Sequence, residues 1–313
     1  MTASMHVLVY GTGAVGGYFG ALLARGGHDV TFVARGTNLE ALRRDGLRVL
    51  LGGPEQTIRV HPARAVEHPA DAPRADLVLV CVKSYDTPAA ADALRPAVDR
   101  DTVLLSLQNG VENEAILAGR LGLPPLMVGL TRIGVELTAP ATVFYSGRGE
   151  IIFGEPDGSE SPRARRLADT LAAAGVPYQL RRDILVSAWE KLAWNAGFNA
   201  VSTLTDATVR EILAHPGARD LVVQVMEEVD ATATALGIPV RRWRTQSVLD
   251  DSLGGLPDFP TSMLQDRRRG RRLEHDAING AVVRAAARAG VAVPANRTLL
   301  ALLDRLDQSG LRA

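Results

Sequence analysis

The sequence predicts two domains: an α/β domain with a doubly wound parallel sheet, and an all-α domain after it. The chain has 313 residues, more than one hydrophobic core usually serves. Short, β-rich apolar runs alternate with helical stretches in the first half, as in a parallel sheet with crossover helices. These runs stop near residue 180, and long helical patterns follow. We therefore predict domains at residues 1–180 and 181–313.

The strands of the first domain have the strongest pattern. Each is a near-continuous apolar run, which is typical of a strand buried on both faces. The predicted strands are HVLVY (6–10), DVTFVAR (29–35), DLVLVCVK (76–83), TVLLSLQ (102–108) and LMVGLT (126–131).

Helices are predicted between these strands and throughout the second domain. The first helix ends at Gly26-Gly27, a common helix stop. The pieces ATVFYSG and EIIFGE predict a hairpin at the edge of the sheet. Further helices are predicted at about 87–99, at 112–121 and after the polar loop 155–162, and helices in the second domain are separated by Gly- or Pro-rich breaks at 214–218, 236–240, 254–260 and 289–296.

Composition argues against several classes of protein. The formal net charge is +0, so bulk attraction to a polyanion is not expected. The basic run RRRGRR (267–272) has no aromatic residues beside it, so we interpret it as a solvated helix face rather than a nucleic-acid site. No apolar run approaches the ~20 residues that span a bilayer, and no signal-like segment is recognisable.

Cysteine and histidine usage favours a cytoplasmic protein without a metal. The single cysteine, Cys81, lies in the apolar run LVLVCV, where a buried thiol in a reducing compartment is expected. The six histidines show no metal-ligand spacing. We therefore expect no metal, nucleic-acid or membrane partner.

A glycine motif follows the first predicted strand. Gly11, Gly13 and Gly16 have the spacing G-x-G-x-x-G and open a helix. Such glycines allow a tight turn and close approach of a pyrophosphate to a helix N-terminus. The alternative is a glycine-rich turn without a ligand. We predict a Rossmann-type dinucleotide site formed by Gly11, Thr12, Gly13, Ala14, Val15 and Gly16.

Residues at the ends of later strands extend this site. The second strand ends in Arg35, whose guanidinium suits a 2′-phosphate, so NADP(H) is preferred over NAD(H). Lys83 and Asn109 end the next two strands along the chain, at the edge where ligands bind in open α/β sheets. A solvated strand end for Lys83 and an ordinary Asn-Gly turn for Asn109 are the alternatives.

Polar residues recur every fourth position in the apolar stretch WEKLAWNAGFNA (189–200). Lys191, Asn195 and Asn199 fall on one face of a helix, and Lys83 and Lys191 are the only lysines among 35 basic residues. A lysine can give a proton to the alkoxide that develops when a hydride reduces a ketone, and amides can orient the substrate. We expect this line to face the cofactor across an interdomain cleft. Compositional drift and interdomain hydrogen bonds are the alternatives.

Two residues of the second predicted domain complete the set of candidates. Glu274 shares a predicted helical stripe with the small or apolar residues Gly270 and Ile278, and such a carboxylate is normally paired or functional. Its alternative is a buried salt bridge. Ser262 and Gln265 have capping-box spacing, so N-capping is the simplest interpretation of Ser262.

Over nearly its whole length the chain resembles the ketopantoate reductase family. The resemblance rests on GTGAVGG, VKSYD, LQNGV, WEKLAWNAGFNA, SMLQD, LEHDAING and GVAVPAN in this order. It implies a Rossmann-type domain, a second domain of the 6-phosphogluconate-dehydrogenase-like type, and NADPH-dependent reduction of 2-dehydropantoate to pantoate in pantothenate biosynthesis. All-α second domains of this kind often mediate dimerisation in similar proteins, so the resemblance also implies a homodimer.

The resemblance also implies roles for particular residues. Lys191 would donate the proton, and Asn195, Asn199 and Ser262 would hold the substrate. Asn109 and Lys83 would lie between cofactor and substrate, with Glu274 beside both.

Three positions depart from the family pattern. Phe259 stands where some members have asparagine, His275-Asp276 where Ile-Asp is common, and Tyr145 where a histidine is frequent. These departures leave open a different 2-oxo or 3-oxo acid as substrate. A non-catalytic NADP(H)-sensing regulator on the same fold is a further alternative.

Overall fold

The computed structural model describes residues 4–52, 56–240, 252 and 258–310, and the chain divides into two compact units. The first unit comprises Met1–Gln108 and Asn113–Ile184, and the second comprises Asn109–Glu112 and Leu185–Ala313. The short segment Asn109–Glu112 therefore lies between two stretches of the first unit in the sequence but belongs to the second unit.

The first unit alternates strands and helices along its length. In chain order its elements are β1 (His6–Tyr10), α1 (Ala14–Arg25), β2 (Asp29–Val33), α2 (Gly36–Asp45), β3 (Leu47–Leu51), β4 (Thr57–Val60), β5 (Arg64–Val66), β6 (Leu77–Val80), α3 (Thr87–Leu94), β7 (Val103–Ser106), α4 (Asn113–Leu121), β8 (Val128–Ala139), β9 (Thr142–Gly154), α5 (Pro162–Ala173) and β10 (Tyr178–Leu180).

A five-stranded parallel sheet forms the centre of this unit. Its strand order is β5-β2-β1-β6-β7, so later strands add on both sides of β1, as in a doubly wound fold. The apolar runs predicted at 6–10, 29–35, 76–83 and 102–108 contain β1, β2, β6 and β7. Side chains such as Val9 and Leu79 are fully buried because helices cover both faces of the sheet. The predicted α/β class is confirmed.

A second sheet corrects two predictions. The run at 126–131 enters β8, which pairs antiparallel with β9 rather than joining the parallel sheet. The two pieces predicted as a hairpin form one strand, β9, in a sheet ordered β10-β9-β3-β4. Between these pieces Arg148 has φ +48, and the register of β8 against β9 shifts nearby at Gly134. The glycine-rich sequence there forms a bulge, not a chain reversal.

The loop after β9 is fixed by a buried carboxylate. Glu155 is 4% exposed, and Arg163 donates to its two oxygens at 2.7 and 2.6 Å. Ser161 Oγ also donates to Glu155 Oε1 and accepts the Ala164 amide as the N-cap of α5. The Arg163 guanidinium, with the Ser161 hydrogen bond, holds the pKa of Glu155 below its usual value.

We expect Arg163→Met to lower the free energy of unfolding at neutral pH by about 2 kcal/mol. This is less than for a fully buried pair, because Arg163 is partly exposed. A lowered carboxyl pKa stabilises the fold above the unfolded-state pKa, and this contribution is lost as pH falls through the folded-state value. Urea unfolding at pH 7 and at about pH 3 should therefore show the difference between wild type and variant shrinking in acid.

The neighbouring arginine of α5 gives a matched control. Arg165 pairs with Glu160 at 3.6 Å, and both side chains are exposed. Arg165→Met should change stability by less than about 0.5 kcal/mol. Equal losses for the two variants, or a loss for Arg163→Met that does not change with pH, would contradict the assigned role of Glu155.

In the part that the structure describes, the regular elements of the second unit are all helices. Its elements are α6 (Ile184–Trp194, whose first residue belongs to the first unit), a π-helical turn (Asn195–Asn199), α7 (Ala200–Thr205), α8 (Val209–Ala214), α9 (Pro216–Ala235), α10 (Ser262–Arg268), a second π-helical turn (Asp276–Gly280), α11 (Ala281–Ala289) and α12 (Pro294–Gly310).

Helices of the second unit end where the sequence predicts breaks. The breaks at 214–218, 236–240 and 289–296 separate α8 from α9, end α9, and separate α11 from α12. The predicted break at 254–260 falls largely outside the described residues. A separate apolar core with Phe198, Val229 and Ile278 fully buried holds these helices together. In the described part of the chain no helix has the length and apolar character of a bilayer span.

Candidate active site

The glycine loop after β1 is shaped by protein contacts at two of its glycines. Gly11 has φ +98, and a Cβ there would lie 2.7 Å from the Val82 nitrogen. A Cβ on Gly16 would lie 2.4 Å from the Gly11 carbonyl oxygen. Packing alone therefore requires glycine at both positions.

Gly13 is different. Apart from its chain neighbours and the backbone of its own helix, no atom of the described residues lies within 4 Å of the position its Cβ would take, and its φ of −88° is open to any residue. Gly13 is also the N-cap of α1 and gives the helix no side-chain cap. The space beside it suits a phosphate group against the first N–H groups of α1. The loop thus fits the dinucleotide that the motif predicts.

The glycine loop is tied to the end of β2. The backbone N–H and the hydroxyl of Thr12 both donate to the Val33 carbonyl at 3.0 Å. Asn38 donates to the Thr12 carbonyl at 2.7 Å and accepts the Ala141 amide at 2.8 Å. Asn38 therefore has a structural role, and it fixes the loop in place.

Arg35 lies exposed at the N-cap of α2, directly after β2. Its guanidinium is close enough to the Tyr10 hydroxyl to oppose, by charge and hydrogen bonding, the rise in the pKa of Tyr10 caused by burial. A positive group is thus available at the carboxyl ends of β1 and β2, where a 2′-phosphate would need it.

Behind β6, burial raises the pKa of the Cys81 thiol to about 12. The thiol is therefore protonated at neutral pH, and a protonated thiol is a poor nucleophile.

A buried polar network that the sequence analysis missed supports Lys83. Lys83 is half-buried and precedes the turn Ser84–Asp86 after β6. The fully buried Thr87 hydroxyl lies 2.8 Å from the Ser84 carbonyl and accepts from Gln108 Nε2 at 2.9 Å. Gln108 also donates to the Val82 carbonyl at 3.0 Å. The carbonyls of Val82 and Ser84, on either side of Lys83, therefore both contact this network.

In the second unit, the line of polar residues begins on α6 and continues into the first π-helical turn. Lys191 is half-buried, Asn195 is 5% exposed and Asn199 is 1% exposed. In a regular α-helix, side chains four residues apart drift by about 40° around the axis. The wider π turn counters this drift between Asn195 and Asn199. The sequence predicts the line but not the π turn.

Asn109, Asn195 and Glu274 lie together. Asn109 Nδ2 donates to Glu274 Oε2 at 3.2 Å, and Asn195 Nδ2 lies 3.5 Å from Asn109 Oδ1. Gly110 permits this arrangement with φ +101, since a Cβ there would lie 2.7 Å from the Ala277 carbonyl oxygen. Asn109 therefore lies both in an Asn-Gly turn and in the candidate site. Three predicted residues from distant parts of the sequence share one cluster.

The predicted helical stripe through Glu274 is wrong at its start. The helix α10 ends at Arg268, Gly270 has φ +62, and residues 271–274 are not helical. Glu274 instead immediately precedes the helix that begins at His275, and its carbonyl accepts the Ile278 amide. Glu274 is 5% exposed.

The structure also separates Ser262 from the cap that the sequence predicts. Thr261 is the N-cap of α10 and accepts the Leu264 amide at 3.4 Å, whereas Ser262 is the exposed first residue of the helix. The capping interpretation of Ser262 is wrong, because the helix begins one residue earlier than the spacing indicates. Among the described residues no hydrogen-bond partner holds its hydroxyl, which leaves the substrate role as a prediction.

Asn199 has an unusual environment for a buried amide. Neither its Oδ1 nor its Nδ2 has a hydrogen-bond partner within the part of the chain that the structure describes, although both atoms are buried. An unmade hydrogen bond on a buried amide is costly, so an unpartnered one requires an explanation. A bound polar ligand or an ordered water would supply the missing partners.

The first two arginines of the run at 267–272 make contacts within the chain. Arg267 donates to the Thr203 carbonyl and Arg268 pairs with Asp206 at 2.9 Å. Only these two arginines lie on α10, and residues 269–272 follow its end, so the predicted helix face is wrong for the rest of the run. Among residues 4–52, 56–240, 252 and 258–310, no group of three His, Cys, Asp or Glu side chains is arranged to hold a metal ion.

Comparison with known proteins gives the same family for both parts of the chain. The models for ketopantoate reductase PanE/ApbA and for its C-terminal part match residues 7–158 and 183–307. A 2-dehydropantoate 2-reductase from Archaeoglobus fulgidus is 35% identical, covering 98% of this chain and 99% of its own. One from Halobacterium salinarum is 33% identical, covering 98% and 100%.

A solved structure extends the likeness to the fold. The crystal structure of a PanE/ApbA family ketopantoate reductase from Ralstonia eutropha has a TM-score of 0.89 at 34% identity, covering 98% of this chain and 99% of that one. With both parts matched and near full-length relatives above 30% identity, the chain belongs to the ketopantoate reductase family and is an oxidoreductase that uses a nicotinamide cofactor.

Proposed function

We propose that the protein reduces 2-dehydropantoate to pantoate with NADPH as the electron donor. The hydrogen-bonded cluster of Asn109, Asn195 and Glu274, in the unit that also contains Lys191, carries this proposal. The cluster supplies amide groups and a carboxylate, and Lys191 supplies an ammonium group on α6 of the same unit. Amide and ammonium donors suit an α-keto acid that carries both a carboxylate and a reducible carbonyl.

The first unit would bind the cofactor. The N–H groups at the start of α1, beside Gly13, would hold the pyrophosphate, and Arg35 would pair with the 2′-phosphate. Lys83, supported by the Thr87 network, would neutralise charge near the reacting end. When bound, NADPH supplies the hydride that reduces the keto carbon.

The second unit would bind the substrate and supply the proton. Asn195, Asn199 and Ser262 would donate to or accept from its carboxylate and hydroxyl groups. The Lys191 ammonium would hydrogen-bond the keto oxygen and transfer its proton there as negative charge develops, giving the new hydroxyl; the neutral amine would then take a proton from solvent. Glu274 would hold Asn109 in position through its 3.2 Å hydrogen bond.

The direct test is loss of NADPH absorbance on adding 2-dehydropantoate, with NADH in parallel. Rapid turnover with NADPH and slow turnover with NADH would support the proposed reaction and cofactor. Cofactor binding without turnover would contradict the substrate and leave the fold assignment intact. The cytoplasmic location and the homodimer stay predictions, and light scattering of the purified protein checks the second.

Replacing Arg35 with serine should weaken the preference for NADPH over NADH. A charge-assisted hydrogen bond contributes about 1.5–3 kcal/mol, so KM for NADPH should rise about tenfold or more. KM for NADH should stay within about twofold, since that cofactor lacks the 2′-phosphate. Arg43→Ser, in the helix α2 that Arg35 precedes, replaces an arginine that is bonded to the Ala65 carbonyl, and it is the matched control. Equal increases for NADPH and NADH would show that Arg35 does not recognise the phosphate.

A second candidate substrate is a 2-oxo acid with a more apolar side chain. Phe259, where some similar proteins have asparagine, is half-buried and three residues before Ser262. An aromatic ring there would favour an apolar group over a hydroxyl. Comparing kcat/KM across a panel of oxo acids separates the candidates, because a clear preference for an apolar acid would displace 2-dehydropantoate.

A further inference from the structure

Two π-helical turns lie in the second unit, and each adjoins candidate site residues. The first, Asn195–Asn199, contains both amides of the substrate line, and the second, Asp276–Gly280, begins two residues after Glu274. Such turns are rare and widen the helix by one residue, which leaves a carbonyl without its usual partner. Something outside the helix must satisfy that carbonyl if it is buried.

One side chain of the second turn makes this contact with the first. Asn279 is fully buried, and its Nδ2 donates to the Ala196 carbonyl at 3.1 Å and to Asn296 Oδ1 at 3.2 Å. Ala196 follows Asn195 directly. The amide of Asn279 therefore holds the backbone of the first turn at the point where it presents Asn195.

The orientation of the Asn279 side-chain amide is fixed by its hydrogen bond to Asn296. Asn296 Nδ2 donates to the Val225 carbonyl at 3.2 Å and to Glu228 Oε2 at 2.8 Å, so its Oδ1 must face Asn279. Glu228 in turn accepts the backbone amides of Ala295 and Asn296 at 2.8 and 2.9 Å. This chain of donors and acceptors leaves only the nitrogen of Asn279 to face the Ala196 carbonyl.

We propose that Asn279 is a positioning residue for the substrate side of the site, acting through the first π-helical turn. The proposal rests on the proposed function for its kinetic readout. Without the Asn279 donor, the Ala196 carbonyl loses its partner and the turn can relax towards a regular α-helix. If the wider turn takes up the regular α-helical spacing, Asn199 rotates relative to Lys191 by up to about 100°, which is one residue step.

Three variants test this role. Asn279→Ala removes the donor, Asn279→Asp places an acceptor against the Ala196 carbonyl, and Asn279→Ser is a milder change that keeps an O–H donor. We expect kcat/KM for 2-dehydropantoate to fall about tenfold for the first two and less for the third. The dissociation constant of NADPH should stay within about twofold of wild type. Ile212→Ala in α8, buried in the same core, controls for a general loss of stability.

Hydrogen exchange supplies a readout that does not depend on the substrate. Peptides covering 195–203 should exchange faster in Asn279→Ala than in wild type or Ile212→Ala, while peptides of the first unit stay unchanged. Unchanged exchange over 195–203 overturns the proposal, and so do parallel losses of kcat/KM in Asn279→Ala and the control. If wild type fails to reduce 2-dehydropantoate, the proposed function fails separately, and the exchange result alone decides the role of Asn279.

Discussion

Replacing Lys191 with alanine should lower kcat with 2-dehydropantoate by about 10²–10⁴-fold, the usual contribution of a positioned general acid. Lys191 is the residue of the substrate line that can release a proton, and it lies one helical turn before Asn195, which is part of the Asn109–Glu274 cluster. NADPH binding should stay within about twofold, because the glycine loop and Arg35 belong to the first unit. Stopped-flow or steady-state loss of NADPH absorbance, with cofactor binding measured by fluorescence, checks both parts.

Two further variants separate proton donation from charge and from general damage. Lys191→Arg keeps a positive charge but not a group that releases its proton readily, so kcat should remain far below wild type. Glu190→Gln changes the neighbouring residue and should leave kcat within about threefold. Near-normal kcat in Lys191→Ala would show that the proton comes from elsewhere.

Most of the candidate site residues are predicted because each has a local signal in the sequence. Gly11, Gly13 and Gly16 follow a buried strand, and Lys191 interrupts an apolar helix. The contact between Asn109 and Glu274 has no such signal, because it joins residues 165 positions apart in the chain. Only the folded second unit brings these side chains within hydrogen-bond distance.

Elements that depend on long-range pairing are the ones that the sequence analysis missed or misassigned. The strand β3 pairs with β9 at Arg48 and Thr142, and its short run with an exposed arginine has no strong strand pattern. The π-helical turns are likewise invisible locally, because Asn279 stabilises the first from a distant position. The helix break at Gly270 was missed because polar arginines surround it and hide the change in periodicity.

Replacing Gly13 with alanine should weaken NADPH binding by about 5- to 150-fold, since overpacking costs of 1–3 kcal/mol correspond to such factors. The described part of the chain has room for the methyl group, because nothing beyond its chain neighbours and own helix backbone lies within 4 Å of the Cβ position and the backbone is extended. Thermal stability without cofactor should therefore match wild type. The expected clash is with the cofactor, which makes this substitution a probe of a binding surface rather than of the fold. Titration of NADPH fluorescence gives the affinity, and calorimetry gives the stability.

Two other glycines show whether this interpretation is right. Gly119 in α4 also has open space around it and an ordinary φ, so Gly119→Ala should stabilise the helix by about 1 kcal/mol without changing NADPH affinity. Gly16→Ala would bring a methyl group to 2.4 Å from the Gly11 carbonyl and should lower stability and affinity together. Normal NADPH affinity in Gly13→Ala would mean that the cofactor does not approach this loop, and the assignment of the dinucleotide site would have to be abandoned. Loss of affinity with full stability, against loss of both in Gly16→Ala, would separate the glycine required by the ligand from the glycine required by the fold.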